Sequence, residues 1–295
     1  MIRFLAKVAV QRALGTIPFG PELYRRRQAR SVLASPVIAT NIGDKHRTAL
    51  QHLELLRETA GLEPRAVEAH LELGSGWLPV IPLTFSRHGM RRQVLTDVSR
   101  LLCREAVPDL VRRLAVIDTG GVELTPLGRG VDPLAAAGIS YHAPVSPPLP
   151  LPTGGFDLAT CTQVLLYPPP AVVRALHEEA ARCLRPGGLY LATIRLDDLY
   201  ALSDPALPRF HFLRYSRATW SRWFDNAFTP LNRLRPCEHA RLLEGLPFER
   251  LTWRVEGGGS AELEQLALSR PHAEFAHLPA SELAATNLTF LLRRV

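Results

Sequence analysis

The chain has 295 residues, 46% of them hydrophobic and 21% charged, enough to bury one large core or one core with an added helical part. Its net charge is +7, yet lysine occurs only at positions 7 and 45 and the arginines are scattered without a block of like charge, which points to a GC-rich coding genome more than to a nucleic-acid surface. No apolar run approaches the roughly 20 residues that cross a bilayer, and Cys103, Cys161, Cys183 and Cys237 show no CxxC or metal-type spacing, so the composition argues for reduced thiols in a cytoplasmic protein without a metal site.

Residues 1–14 read as a short basic amphipathic helix, with Ile2, Leu5, Val8 and Ala9 near one face and Arg3 and Lys7 near another. They lack the unbroken apolar core and small-residue cleavage site of a secretory signal. Packing on the domain as part of a cap is the preferred reading. Peripheral membrane contact through 1–14, or ordering within an oligomer, are the alternatives, and the oligomeric state stays open. Residues 22–34 predict a second helix, 35–44 a loop, and 45–59 a third helix with Leu50, Leu53, Leu55 and Leu56 on its apolar face. Residues 1–60 thus form a helical region that precedes the sheet, and 61–295 form the main domain.

From position 67 the pattern alternates between strand and helix. Strands are expected at 69–73, 93–97, 139–142, 156–162, 189–194, 248–255 and 287–293. Helices are expected at 81–88, 100–115 with Ser99 as its cap, 133–137, 171–184, 237–244 and 261–268. Residues 118–137 are glycine-rich and carry little periodicity, and PVSPPLPLP at 144–152 is a stiff extended loop. Residues 195–236 break the alternation with a dense set of aromatics. The fold class is α/β: a doubly wound, mostly parallel, seven-stranded Rossmann-like sheet with N-terminal helices and a cap insert after the fifth strand.

The stretch HLELGSGWLP, residues 70–79, joins an apolar strand to a glycine turn, and Asp97 closes the next strand. Such a turn lies at the carboxyl edge of the sheet, where a nucleoside binds, and a carboxylate there can accept two hydrogen bonds from a ribose diol. Two ligands compete for it. A dinucleotide wants a third glycine where Pro79 stands, and Glu72 is poor company for pyrophosphate. A ligand that carries an ammonium and a sulfonium suits that carboxylate better.

Four motifs then occur in order: LELGSG, LTDVS, LPLPTGGFDLATCTQVLLY and CLRPGGLYLATI. In this order and spacing they resemble class I S-adenosylmethionine-dependent methyltransferases over residues 67–295. The resemblance implies the antiparallel last strand of that family, S-adenosylmethionine as cofactor and S-adenosylhomocysteine as product. It places Glu72, Gly74, Ser75 and Gly76 by the methionine half, Asp97 on the ribose, Val98 beside adenine, and Thr162 and Gln163 beside the methyl. The chain departs from the family at Leu78, where a third glycine is common, and at Val145, where an acidic residue is common. Adenine then falls to backbone groups of Val145 and Ser146. A third departure is 164–167, VLLY, where many members read VLEH.

Methyl transfer needs an in-line nucleophile more than covalent help, and a hydroxyl nucleophile also needs a base. The fourth strand ends in CTQV, without the proline–aromatic tetrapeptide of many enzymes that methylate amino groups of nucleic acid or protein. A small-molecule substrate is therefore favoured, and nucleic acid disfavoured. The insert and the N-terminal helices would wall its pocket. NRLRPCEH at 232–239 resembles a segment that some uncharacterised small-molecule methyltransferases carry after this insert. Candidate bases are His211, Tyr215, His239 and Tyr167. Arg235 can pair with a substrate carboxylate or with an acidic side chain that fixes the insert, the latter being preferred, and Trp220 and Trp223 are read as core of the insert. The competing classes are a methyltransferase of nucleic acid or protein, a non-catalytic S-adenosylmethionine-binding protein with a membrane-surface helix, and, more distantly, a dehydrogenase.

Overall fold

The computed structural model describes residues 2–124, 132–202, 204–226 and 228–295, apart from the side chains of Ile2, Ser35, Pro36 and Val37. Three helices come first: α1 (Ile2–Thr16), α2 (Gly20–Leu33) and α3 (Ser35–Ala60). The alternating part follows as β1 (His70–Leu73), α4 (Val80–Arg87), β2 (Gln93–Thr96), α5 (Val107–Ile117), α6 (Pro133–Ala136), β3 (Ile139–His142), β4 (Phe156–Thr162), α7 (Pro170–Cys183) and β5 (Leu184–Arg195). The insert carries α8 (Arg217–Trp223). The chain closes with α9 (Pro236–Arg241), β6 (Phe248–Gly257), α10 (Ser260–Ser269), α11 (Ala280–Leu283) and β7 (Ala285–Arg294).

The seven strands form one sheet in the order β3-β2-β1-β4-β5-β7-β6. Strands β1 to β5 run parallel, and β7 enters antiparallel between β5 and β6. This is the expected doubly wound sheet with an antiparallel last strand. β4 is buried along nearly its whole length, which is why FDLATCT reads as a continuous apolar run and not an alternation. The order reverses between β1 and β4, so their carboxyl ends open a crevice there.

Helices α3, α4 and α5 pack on one another over one face. Leu53 and Leu56 of α3 reach Leu158 of β4 and Leu191 of β5. The other face holds α7, α10 and the insert around Leu71, Tyr190 and Phe290.

Four expectations are corrected. Residues 35–44 are not a loop but the first part of α3, where Ile38 and Ile42, one turn apart, are buried against Leu83, Leu95 and Leu110. A proline in the first helical turn loses no hydrogen bond, so it marks a start here and not a break. The helix expected from 100 begins only at Val107, because the Ser99 amide donates to Asp97 Oδ1 and its carbonyl accepts the Tyr141 hydroxyl. α1 buries Phe4, Val8 and Gln11, while Leu5 faces water. Trp220 is core, but Trp223 is exposed under the Arg222 guanidinium. The glycine-rich stretch falls partly at 125–131, outside the described residues.

The insert and α1 close on each other. The Phe4 ring packs edge-on against Tyr200 and His211, each 4.9 Å away centre to centre. Gln11 Nε2 donates to the Tyr24 hydroxyl at 2.7 Å and to Thr229 Oγ1 at 2.9 Å, which ties α1 to α2 and to the insert.

Candidate functional site

At the end of β1 the chain enters left-handed backbone at Gly74 (φ 82°) and Gly76 (φ 64°). The two glycines are needed for different reasons. A Cβ on Gly74 would lie 2.4 Å from Val164 Cγ2, so that glycine lets the loop after β4 pack onto the turn. A Cβ on Gly76 would meet nothing within 4 Å, so the open side of the turn is there.

The amides of this turn are already used. Gly74 and Ser75 donate to the Thr96 carbonyl at 2.8 and 3.1 Å. Gly76 donates to Asp97 Oδ2 at 3.0 Å. Asp97 Oδ1 accepts from Ser99 N at 3.0 Å. Asp97 is thus held rigid at the strand end with lone pairs to spare, and its burial pushes the carboxyl pKa up despite those amides. Pyrophosphate binding draws on free N–H groups at a helix start. Here three consecutive amides are spent inside the protein, and α4 is preceded by Pro79, which has no N–H. This disfavours a dinucleotide.

Polar side-chain atoms without partners surround the turn: Glu72 Oε2, Ser75 Oγ and Thr162 Oγ1 are all buried and form no hydrogen bond among the described residues. Burial pushes Glu72 up to about 8, the Lys45 ammonium pulls it down, and Asp97 pushes it further up. Lys45, from α3, donates to the Leu78 carbonyl at 3.0 Å, and burial lowers its own pKa. A pocket that keeps two carboxylates close and partly unpaired favours a cationic ligand. S-adenosylmethionine fits on this ground: Glu72 would face its ammonium group and Asp97 its ribose, and Gly76 leaves the open side of the turn free.

Beyond Asp97, a cleft of about 570 Å³ opens between α2 and the loop 98–103. Trp77, Val98, Arg100 and Pro144 line one side of it, and Arg25 and Arg26 the other. Val98 is 71% exposed there, in keeping with a flat ligand laid on it. The Val145 amide is spent on the Asp97 carbonyl at 2.9 Å, so the backbone donor left in that pair is Ser146, which is exposed.

The methyl side is tighter. Gln163 sits in left-handed backbone (φ 58°), and its side-chain oxygen accepts from Arg195 N at 2.7 Å. A strained non-glycine residue at a strand end is a common mark of a working edge. Asn232 donates to the Leu165 and Pro168 carbonyls at 2.6 and 2.9 Å, so the NRLR segment pins the loop after β4. The recess between Leu166, Phe212 and Arg233 holds about 10 Å³, room for a single water.

The four candidate bases separate. His239 is a core histidine and not a base: it lies in α9 with no exposed surface, and burial lowers it to about 3. His211 is also buried, but its Nε2 lies 3.3 Å from the Tyr215 hydroxyl and its Nδ1 3.5 Å from Asp198 Oδ2. Tyr215 is half-buried, and burial raises its pKa. Tyr167 stands partly exposed, its pKa raised by burial and lowered by Arg195. Arg235 does fix the insert, but through carbonyl oxygens of Leu196, Glu282 and Ala285 and not through an acidic side chain. Lys45, Trp77 and Asp198 were not singled out from sequence. The one hint for Lys45 was that lysine is nearly absent from this chain.

No known sequence family and no curated protein matches the chain. Solved structures do. Geranyl diphosphate C-methyltransferase from Streptomyces coelicolor A3(2), seen with Mg2+, geranyl diphosphate and S-adenosyl-L-homocysteine, shares 14% identity over 85% of this chain and 80% of its own, with a TM-score of 0.49. An S-adenosylmethionine-dependent methyltransferase from Mesorhizobium loti shares 17% over 82% and 96%, with a TM-score of 0.45. The cyclase SpnF shares 14% over 83% and 80%, with a TM-score of 0.46.

Proposed function

We propose that the chain is an S-adenosylmethionine-dependent methyltransferase acting on a small molecule. The observation that carries this reading is the ring of unpartnered polar atoms, Glu72 Oε2, Ser75 Oγ and Thr162 Oγ1, about a glycine turn whose amides are already spent. It matches the four motifs that resemble this enzyme class. When bound, the cofactor supplies an electrophilic methyl on a sulfonium with a neutral leaving group.

The protein's part is placement. Glu72 and Asp97 hold a cationic nucleoside ligand by its two ends; burial keeps Glu72 protonated until the ammonium arrives, and the nearby Lys45 charge eases its ionisation. Thr162 and Gln163 edge the site where the methyl sits, and the Gln163–Arg195 bond keeps that edge rigid. Rigid placement of this kind supplies much of the rate of an in-line displacement. On the acceptor side, the half-buried Tyr215 hydroxyl is the group that would take a proton from a hydroxyl nucleophile, with His211 Nε2 behind it at 3.3 Å to receive the phenol proton.

A second reading keeps the ligand and drops the transfer. The 10 Å³ recess beside the insert favours it, since a substrate larger than water enters there only when the insert shifts off Leu166. Calorimetric titration with S-adenosylhomocysteine tests the shared part of both readings. Binding by the wild type, weakened in Asp97→Ala, is expected; no binding by the wild type overturns both. Methyl transfer from labelled cofactor to a panel of small hydroxyl and amine acceptors then separates them.

A further inference from the structure

We propose that the tip of the α1–α2 hairpin docks on an anionic bilayer surface. The proposal is independent of what binds at the glycine turn. The apolar face of residues 1–14 is not available for this, because Phe4 and Val8 are buried under the insert. The exposed apolar groups lie further on. Phe19 is 85% exposed, Leu23 60% and Ile17 48%, and they follow one another around the turn between the helices.

The backbone holds Phe19 out. Phe19 caps α2 in left-handed backbone (φ 64°), a conformation that favours glycine or asparagine. The next residue must be glycine, because a Cβ on Gly20 would fall 1.8 Å from the Leu14 carbonyl oxygen. A tight, strained turn therefore presents a large aromatic side chain to water, where it adds nothing to the packing of the fold.

The rest of α2 supplies matching charge. Phe19, Leu23, Arg26, Arg27 and Arg30 recur at helical spacing and share one stripe of the helix. Ala29 and Val32 lie off that stripe and pack on the protein, and Leu33, at the far end of the helix beside the stripe, packs there too. Arg27 and Arg30 are exposed and make no ion pair among the described residues, and Glu22 is the one acidic residue of the helix. An apolar tip ahead of a row of arginines is the pattern of an interfacial anchor that inserts rings into the headgroup boundary and meets anionic lipid with its guanidinium groups. No helix among the described residues is long and apolar enough to cross a membrane, so the contact is a surface one. The stripe also borders the cleft that Arg25 and Arg26 line, which puts the mouth of that cleft near the bilayer.

The test is co-sedimentation of the full chain with vesicles of phosphatidylcholine alone or with about a third phosphatidylglycerol. Binding to the anionic vesicles alone, weakened at about 0.5 M salt, is expected. Phe19→Asn, which suits the left-handed backbone, should weaken it about tenfold or more. Arg27→Gln with Arg30→Gln should weaken it about twentyfold. Both variants should keep the wild-type melting temperature. In Phe19→Trp, tryptophan emission should move to the blue on anionic vesicles only. Equal binding to neutral vesicles, no binding to either, or full binding by Phe19→Asn overturns the proposal. A concentration-dependent dimer that Phe19→Asn abolishes also overturns it and assigns the face to a second copy of the chain.

Discussion

Glu72 decides the electrostatics of the turn, and its sign is testable. A carboxyl whose folded pKa is raised to about 8 from 4.5 stays protonated in the fold where the unfolded chain has lost its proton. Ionising it weakens the fold as pH rises through that window. A bound ammonium reverses this by favouring the carboxylate. The affinity for S-adenosylhomocysteine should then climb with pH, by up to about tenfold per unit, and level off above about pH 8. The same titration on Glu72→Gln should be flat. Asp97→Ala should weaken binding by about tenfold to a hundredfold and lower stability by about 1–3 kcal/mol, since the Gly76 and Ser99 amides lose their acceptor. Gly74→Ala combines a positive φ with a clash on Val164. It should destabilise by about 2 kcal/mol or more, and Val164→Ala should restore part of that in a double-mutant cycle. The two glycines look alike in the sequence; only the position of Val164 separates the packing glycine from the open one.

At the scale of elements, α1 was legible as a helix but not by its inner face. Ile2, Leu5, Val8 and Ala9 were the apolar set, whereas Phe4, Val8 and Gln11 go inward. The partner chose the face: the insert offers an aromatic cluster that takes Phe4, and the Tyr24 and Thr229 hydroxyls that satisfy Gln11. Phe4→Ala should therefore cost about 3–5 kcal/mol in urea unfolding and speed proteolysis within the insert. A helix that served only to touch lipid would show neither effect. The same reasoning explains why 35–44 read as a loop. Its proline and its polar residues are turn signals locally, while the Ile38 and Ile42 pair that makes it helical counts only once α4, β2 and α5 stand beside it.

Across the whole molecule, burial of histidine dominates the response to acid. His52 and His70 are lowered to about 4, and His177 and His239 to about 3, each mainly by burial. A lowered folded pKa means that the unfolded chain takes up the proton first, so stability is lost as pH falls below about 6.5. From about pH 7.5 to 5.5 the four together cost on the order of 5 kcal/mol, and Glu72, of opposite sign, returns about 2. A net loss of about 3 kcal/mol in denaturant unfolding is the expected outcome; equal stability at the two values would mean that these rings are charged in the fold.

The doubly wound sheet and the glycine turn could be read from sequence because both rest on local rules. Alternating apolar runs set the strands, and β4 is buried enough to need no alternation at all. A glycine pair and a following carboxylate mark the strand ends whatever lies around them. The other side of the site depends on long-range contacts. Lys45 comes near enough to Glu72 to act on its charge only because α3 packs along α4, past the end of β1, and Asp198 meets His211 only because the insert folds back on itself. The Phe19 ring stands out in water because Gly20 lets the helices turn that sharply. A sequence pattern carries neighbours three or four residues apart, and these pairings were decided by how whole elements stack.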